Sequence, residues 1–348
     1  MSFDQNRPQR NWGPRVRDFD YHGLRLVVLE NELLRVGVLA GKGADIVEFN
    51  FKPRDLDFVW LNGRGVRNPN NFASTYPDPQ GTFLDIYPGG WQDVFPNGGD
   101  TSTYAGALFG LHGEVSSLPW DVHIDEESES AVAVTFTVRT LKTPYLAEKT
   151  LRLESGDPTV HVSAKVENES DMPLRAMWGQ HLAFGRPFLD RTCRIDVPGG
   201  LTIHPNEQGH VDQRRLSSES SAWPFAIGAK GEKIDLSQLP EPGTPSDWAY
   251  LSGFTDAWYE VNHPEKAIGM RVEWDAETMP YLWYWQEFGA PTGYPWYGRN
   301  YNIGLEPFSS VPTAGIAKAV ENDTAMKLGP RESKTFWMRA SVVEGAKQ

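Results

Sequence analysis

Apolar residues recur at every second position in one segment after another, and this alternation restricts the chain to packed β-sheets. In AVAVTFTVR, residues 131–139, Val132, Val134, Phe136 and Val138 fall on one face. In TVHVSAKVE, Val160, Val162, Ala164 and Val166 share a face, with His161, Ser163, Lys165 and Glu167 opposite. AIGMRVEW sets Ile268, Met270, Val272 and Trp274 against Gly269, Arg271 and Glu273. A period of two marks half-buried strands. LLRVGVL (33–39) and FWMRASVV (336–343) read the same way.

Turn residues punctuate these runs. Gly156-Asp157-Pro158 and Asn262-His263-Pro264-Glu265 each predict a hairpin connection. With 33 Gly and 26 Pro there is little room for helices, and the best helical candidate is a short one over Ile316 to Val320. Three stretches read as long loops: 62–106, 285–302 and 205–247. The first two are expected to be functional, because long ordered loops in a compact domain seldom lack a role. The third is loop-rich without evident chemistry. No strand–helix alternation supports a doubly wound sheet. The expectation is an all-β chain of large antiparallel sheets with few short helices: an N-terminal arm over 1–20, then one domain over 21–348.

Charge and composition narrow the partners. The formal net charge is −13, which argues against nucleic acid, since phosphate contacts need clustered Lys and Arg. No apolar run approaches the roughly 18 residues of a membrane span, and the N-terminus lacks a signal-peptide core. The single cysteine, Cys193, excludes an intrachain disulfide and reads as a small buried hydrophobe; such usage is compatible with a cytoplasmic location. A small neutral molecule fits best as partner, with a homo-oligomer left open. The 13 tryptophans suit either sugar faces or a β core.

Several residues carry candidate chemistry. His181, in MWGQHLAFG, follows a strand-like run; an imidazole there can exchange a proton near neutral pH, or simply be a hydrogen-bonded core histidine. Glu306, in GLEPF, sits among apolar residues; burial would raise its pKa and make it a better base, while the rival reading is a surface residue at a strand end. His112, between Gly110 and Gly113, can meet a ligand closely or occupy a tight turn. Asp93 and Asn97, in GGWQDVFPNGG, can supply polar contacts or hold their loop through Asx turns. No H-x-H or H-E-x-x-H spacing supports a metal site, and no phosphate loop, nucleophile elbow or dinucleotide fingerprint is present.

In order, these segments resemble the aldose 1-epimerases, the galactose mutarotase-like family: His-Gly at 112, His-Leu-Ala-Phe at 181, Gly-Leu-Glu-Pro at 304, with MPYLWYWQEFG before the last. GGWQDVFPNGG is similar to the loop that precedes the His-Gly pair in divergent bacterial members. The resemblance spans roughly residues 24 to 343. It implies a β-supersandwich and cofactor-free, metal-free interconversion of sugar anomers. It also implies His181 as general acid, Glu306 as general base and His112 near the ring oxygen, with Asp256 as a ligand of sugar hydroxyls and Gln286 as a polar substrate ligand. Trp283, Trp285 and Trp296 can stack on the sugar or fill the sheet.

The chain departs from the family in two places. No Arg follows Phe95-Pro96, and Ala183 stands where an aromatic is usual. Both bear on the substrate. The expected chemistry takes a proton from the anomeric hydroxyl and gives one to the ring oxygen, with His181 and Glu306 a ring's width apart. The alternatives are a carbohydrate-binding protein without turnover on the same fold, and a metal-dependent sugar isomerase.

Overall fold

The computed structural model describes residues 10–71, 79–206 and 214–345. Two large antiparallel sheets dominate. The first runs, in spatial order, Arg15–Tyr21, Leu24–Glu30, Leu34–Leu39, Asp45–Phe51, Trp91–Val94, Gly179–Phe184, Asn302–Phe308, Tyr281–Glu287, Asp247–Ser252, Thr202–Pro205 and Ser221–Ala222, with Leu56–Asp57 paired to Asp45–Phe51. The second runs Arg194–Asp196, Trp258–His263, Ile268–Trp274, Ser333–Glu344, Thr159–Asn168, Tyr145–Glu154, Ala131–Arg139 and Asp121–Glu127. The all-β expectation therefore holds.

The alternating faces do what their period requires. Val132, Val134 and Phe136 are fully buried, as are Ile268, Met270 and Val272. Both sheets feed one core, in which Val36, Phe49, Leu182 and Leu305 join Phe136, Leu151, Val162 and Met338. Leu182 and Leu305 are chain neighbours of His181 and Glu306. Because successive side chains alternate, the histidine and the glutamate point to the other face of the first sheet, away from the second.

The two hairpin turns fall where expected, joining Tyr145–Glu154 to Thr159–Asn168 and Trp258–His263 to Ile268–Trp274. The short helix over Ile316–Glu321 is also present. Stretch 62–106 differs from a plain loop: it holds helix Pro79–Ile86 and strand Trp91–Val94, which is central to the first sheet. Its many Gly and Pro residues hid a strand only four residues long. The arm expected over 1–20 gives way at Arg15 to an edge strand paired with Leu24–Glu30; residues 1–9 lie outside the described residues. No helix among the described residues is long and apolar enough to cross a membrane.

Candidate active site

His181 comes from Gly179–Phe184 and Glu306 from Asn302–Phe308, adjacent strands at the middle of the first sheet. The register Gly179↔Phe308 and Ala183↔Gly304 sets the two residues opposite each other. His181 Nε2 lies 3.6 Å from Glu306 Oε1. Both side chains are buried, Glu306 completely. The expected ring-wide gap is therefore absent, and the two side chains are neighbours. Neither Glu306 oxygen, nor His181 Nδ1, has a hydrogen-bond partner among the described residues. Burial drives the His181 pKa down to about 4 and raises that of Glu306 well above the carboxylate range. Both shifts favour the uncharged forms, a neutral imidazole beside a carboxyl that keeps its proton above the usual carboxylate range, with one proton to share between them.

A cavity of about 300 Å³ opens over His181. Tyr87, Trp285 and Trp296 form its aromatic wall, with Tyr87 and Trp285 edge-on to His181 at centroid distances of 5.5 and 5.6 Å. Trp248 stacks on Trp285 at 5.8 Å. Trp283 does not reach the cavity: it stacks on Phe308 at 3.6 Å within the core, and its indole N–H donates to the Ser310 carbonyl. Glu306 does not line the cavity wall; it lies beside His181, on the sheet.

His112 lines the cavity, its ring 5.2 Å from that of His181. Its backbone is left-handed, at φ 59°, and Gly113 follows at φ 80°. A Cβ on Gly113 would come within 2.5 Å of the Phe95 carbonyl oxygen, so only glycine fits there. The Gly99 N–H donates to His112 Nδ1 at 3.2 Å. Burial, and then the neighbouring His181, hold the His112 pKa well below its ordinary value. A neutral ring accepting at Nδ1 carries its proton on Nε2, which makes His112 a hydrogen-bond donor.

Gln286 also lines the cavity; its Oε1 accepts from Arg215 Nη1 at 2.7 Å, and its Nε2 has no partner among the described residues. Three other sequence candidates sit elsewhere. Asp93 is buried between the sheets, bonded to Lys149 Nζ and to Gln180 Nε2, and does not line the cavity. Asn97 is fully buried and structural: its Nδ2 donates to the carbonyls of Asp100 and Gly110, and its Oδ1 accepts from the Ile316 N–H. Asp256 lies exposed in the bend before Trp258–His263 and does not line the cavity.

Asp100, Asp247 and Glu287 are the carboxylates that do line the cavity, and Asp247 comes from the stretch that looked chemically blank. It is buried and accepts the backbone N–H groups of Arg215, Leu216 and Trp248 at 2.9, 2.7 and 2.8 Å. Asn206 lines the cavity as well; residues 207–213, including His210, lie outside the described residues. The available sequence signal was position: Asp247 opens the strand that pairs with Tyr281–Glu287, directly opposite Gln286.

The cavity residues form no three-ligand metal cluster among the described residues. The grouping there is Asp190, Cys193 and His263, outside the cavity lining. It is occupied by its own partners, since Lys266 Nζ stands 2.5 Å from His263 Nε2.

Similar folds occur in solved structures. A candidate aldose 1-epimerase from Klebsiella pneumoniae superposes with a TM-score of 0.75 at 14% identity, covering 95% of this chain and 84% of that one. A galactose mutarotase-like protein from Clostridium acetobutylicum gives 0.65 at 14% identity, covering 95% and 99%. A galactose mutarotase-related enzyme from Lactobacillus acidophilus gives 0.60 at 15% identity, covering 95% and 99%. No curated protein matches the sequence. The model of a domain of unknown function, DUF4432, matches residues 21–222. The chain belongs to this DUF4432 family and is built on the galactose mutarotase-like β-sandwich fold.

Proposed function

We propose that the protein is an aldose 1-epimerase that interconverts the anomers of a sugar. The observation that carries this reading is the His181–Glu306 pair, 3.6 Å apart, with His181 lining an aromatic cavity and Glu306 directly beside it. Ring opening takes a proton from the anomeric hydroxyl and gives one to the ring oxygen. Both oxygens are bonded to the same carbon, so a donor and an acceptor a few ångströms apart suit them. The pair shares one proton, and either partition of it leaves one acid and one base. Proton transfer by such groups contributes about 10²–10⁴-fold each.

The cavity wall supplies the rest of the chemistry. His112 Nε2–H and Gln286 Nε2 offer donors, Asp247 offers an acceptor, and the indoles of Trp285 and Trp296 offer flat faces for a sugar ring. This reading requires the anomeric edge of the sugar to meet His181 and one of the two oxygens on the anomeric carbon to come within reach of Glu306.

The complete burial of Glu306 beside the cavity favours a second reading, a carbohydrate-binding protein without turnover. Anomer exchange followed by NMR across a panel of aldoses separates the two. Under the first reading wild-type protein accelerates exchange and Glu306→Gln does not. Saturable binding with no acceleration for any sugar supports the second reading and defeats the first.

A further inference from the structure

Beside His181, on the side away from Glu306, lies a file of buried polar groups with no part in the proton exchange. Gln92, on Trp91–Val94, is the direct cross-strand partner of His181. Cross-strand partners on one face stand close enough for their side chains to interact. The Gln92 amide nitrogen donates to Asp45 Oδ2 at 2.9 Å, and Lys42 Nζ donates to the same oxygen at 2.5 Å. Lys42, Asp45 and Gln92 are each at most 1% exposed. A carboxylate accepts only, so Asp45 fixes which end of the Gln92 amide faces it. The amide oxygen is left over.

That oxygen has no hydrogen-bond partner among the described residues. Neither has His181 Nδ1, nor either oxygen of Glu306. Buried polar groups are nearly always paired, because an orphan bears its full desolvation penalty. Here the orphans are complementary: Gln92 offers an acceptor, and His181 offers a ring nitrogen able to carry a proton. We propose that Gln92 is a positioning residue that sets the tautomer of His181, its amide oxygen accepting the Nδ1 proton so that Nε2 faces Glu306 with its lone pair. The protonated carboxyl of Glu306 then donates to Nε2. Neither bond is closed in the structure, where Nε2 stands 3.6 Å from Glu306 Oε1; closing both would satisfy Gln92 Oε1, His181 Nδ1 and one oxygen of Glu306. The opposite tautomer sets the Nδ1 lone pair against the Gln92 oxygen. The Lys42–Asp45 pair acts one step further back, holding the amide. This inference rests on the acid–base reading of His181, but the tautomer itself can be observed without turnover.

Long-range proton–nitrogen correlation spectra of the full chain, labelled with ¹⁵N-histidine, read the tautomer, with His181→Asn assigning the ring. Wild-type protein near neutral pH is expected to show His181 protonated at Nδ1 and bare at Nε2. Gln92→Met removes the acceptor at similar volume; its His181 is expected to shift toward protonation at Nε2. The same variant is expected to lose about tenfold or more in kcat for anomer exchange, with KM little changed. A wild-type His181 protonated at Nε2 overturns the proposal, and so does a Gln92→Met variant with unchanged tautomer and kcat. If Gln92→Met fails to fold, Gln92→Leu repeats the comparison, since the main chain of His181 also draws on its ring and the wild-type spectrum can overturn the proposal but does not by itself single out Gln92. If wild-type protein exchanges no sugar, the functional reading falls while the spectrum still tests Gln92.

Discussion

Gly304 and Glu306 lie two residues apart on one face of strand Asn302–Phe308, and a Cβ on Gly304 would meet Glu306 Oε1 at 2.3 Å. It would also lie 3.2 Å from the Trp285 Cβ on the neighbouring strand. The missing side chain is thus the space the carboxyl occupies. Gly304→Ala is expected to displace Glu306 and lower anomer exchange by about 10²-fold or more, at an overpacking cost of about 1–3 kcal/mol. Exchange rates and urea midpoints check the two effects separately. Wild-type exchange in Gly304→Ala would show that the carboxyl position does not matter.

Asp247 should behave as both anchor and ligand. Its carboxylate holds three backbone N–H groups of two segments that meet at the cavity. Asp247→Ala orphans them, at a cost of about 1–3 kcal/mol or more, and removes an acceptor from the cavity wall. Lower thermal stability together with weaker sugar binding by calorimetry is the expected pair of results. Loss of stability with unchanged sugar affinity would leave Asp247 a structural residue.

The contrast between Asp247 and the other acidic candidates shows how far the sequence could be read. Alternation gave the strands, because burial on one face forces a period of two and nothing else in the chain competes with it. The His181–Glu306 meeting was legible only through the family order of segments, since 125 positions separate them and no local pattern links them. Asp256 came only from the family resemblance, and an exposed bend carries no signal for where its side chain goes. Asp93 sits in a short strand whose neighbours are Gly and Pro, so the period that would have assigned its face was too brief to detect. Asp247 begins a strand after a long irregular stretch, where periodicity starts only beyond it. Facing of an isolated carboxylate is a tertiary property.

Asp93 should therefore fail as a sugar ligand and matter to the fold. It pairs with Lys149 between the sheets, and both side chains are buried. Removing one partner of a buried ion pair strands the other charge, typically at about 3–5 kcal/mol. Asp93→Ala is expected to lower the urea midpoint sharply while the folded fraction binds sugar with wild-type affinity. Weaker binding at full stability would return Asp93 to the site.

The buried glutamate also fixes how stability depends on pH. Folding raises the Glu306 pKa well above its ordinary 4.5. Above that ordinary value the unfolded carboxyl ionises while the folded one keeps its proton. The stability contributed by this group is full below about 4.5 and is lost as pH rises through the raised folded value. His181 acts in the opposite sense, since its pKa falls from 6.5 to about 4. Its contribution is present above 6.5 and is lost as pH falls through about 4. Glu306→Gln cannot ionise, so it removes the alkaline loss and leaves an acid loss from the imidazole. Urea unfolding across a pH series should show the variant gaining on wild type as pH rises from weakly acidic to alkaline. Parallel curves would mean that Glu306 is ionised in the folded protein, and the shared proton assigned to the pair would not exist.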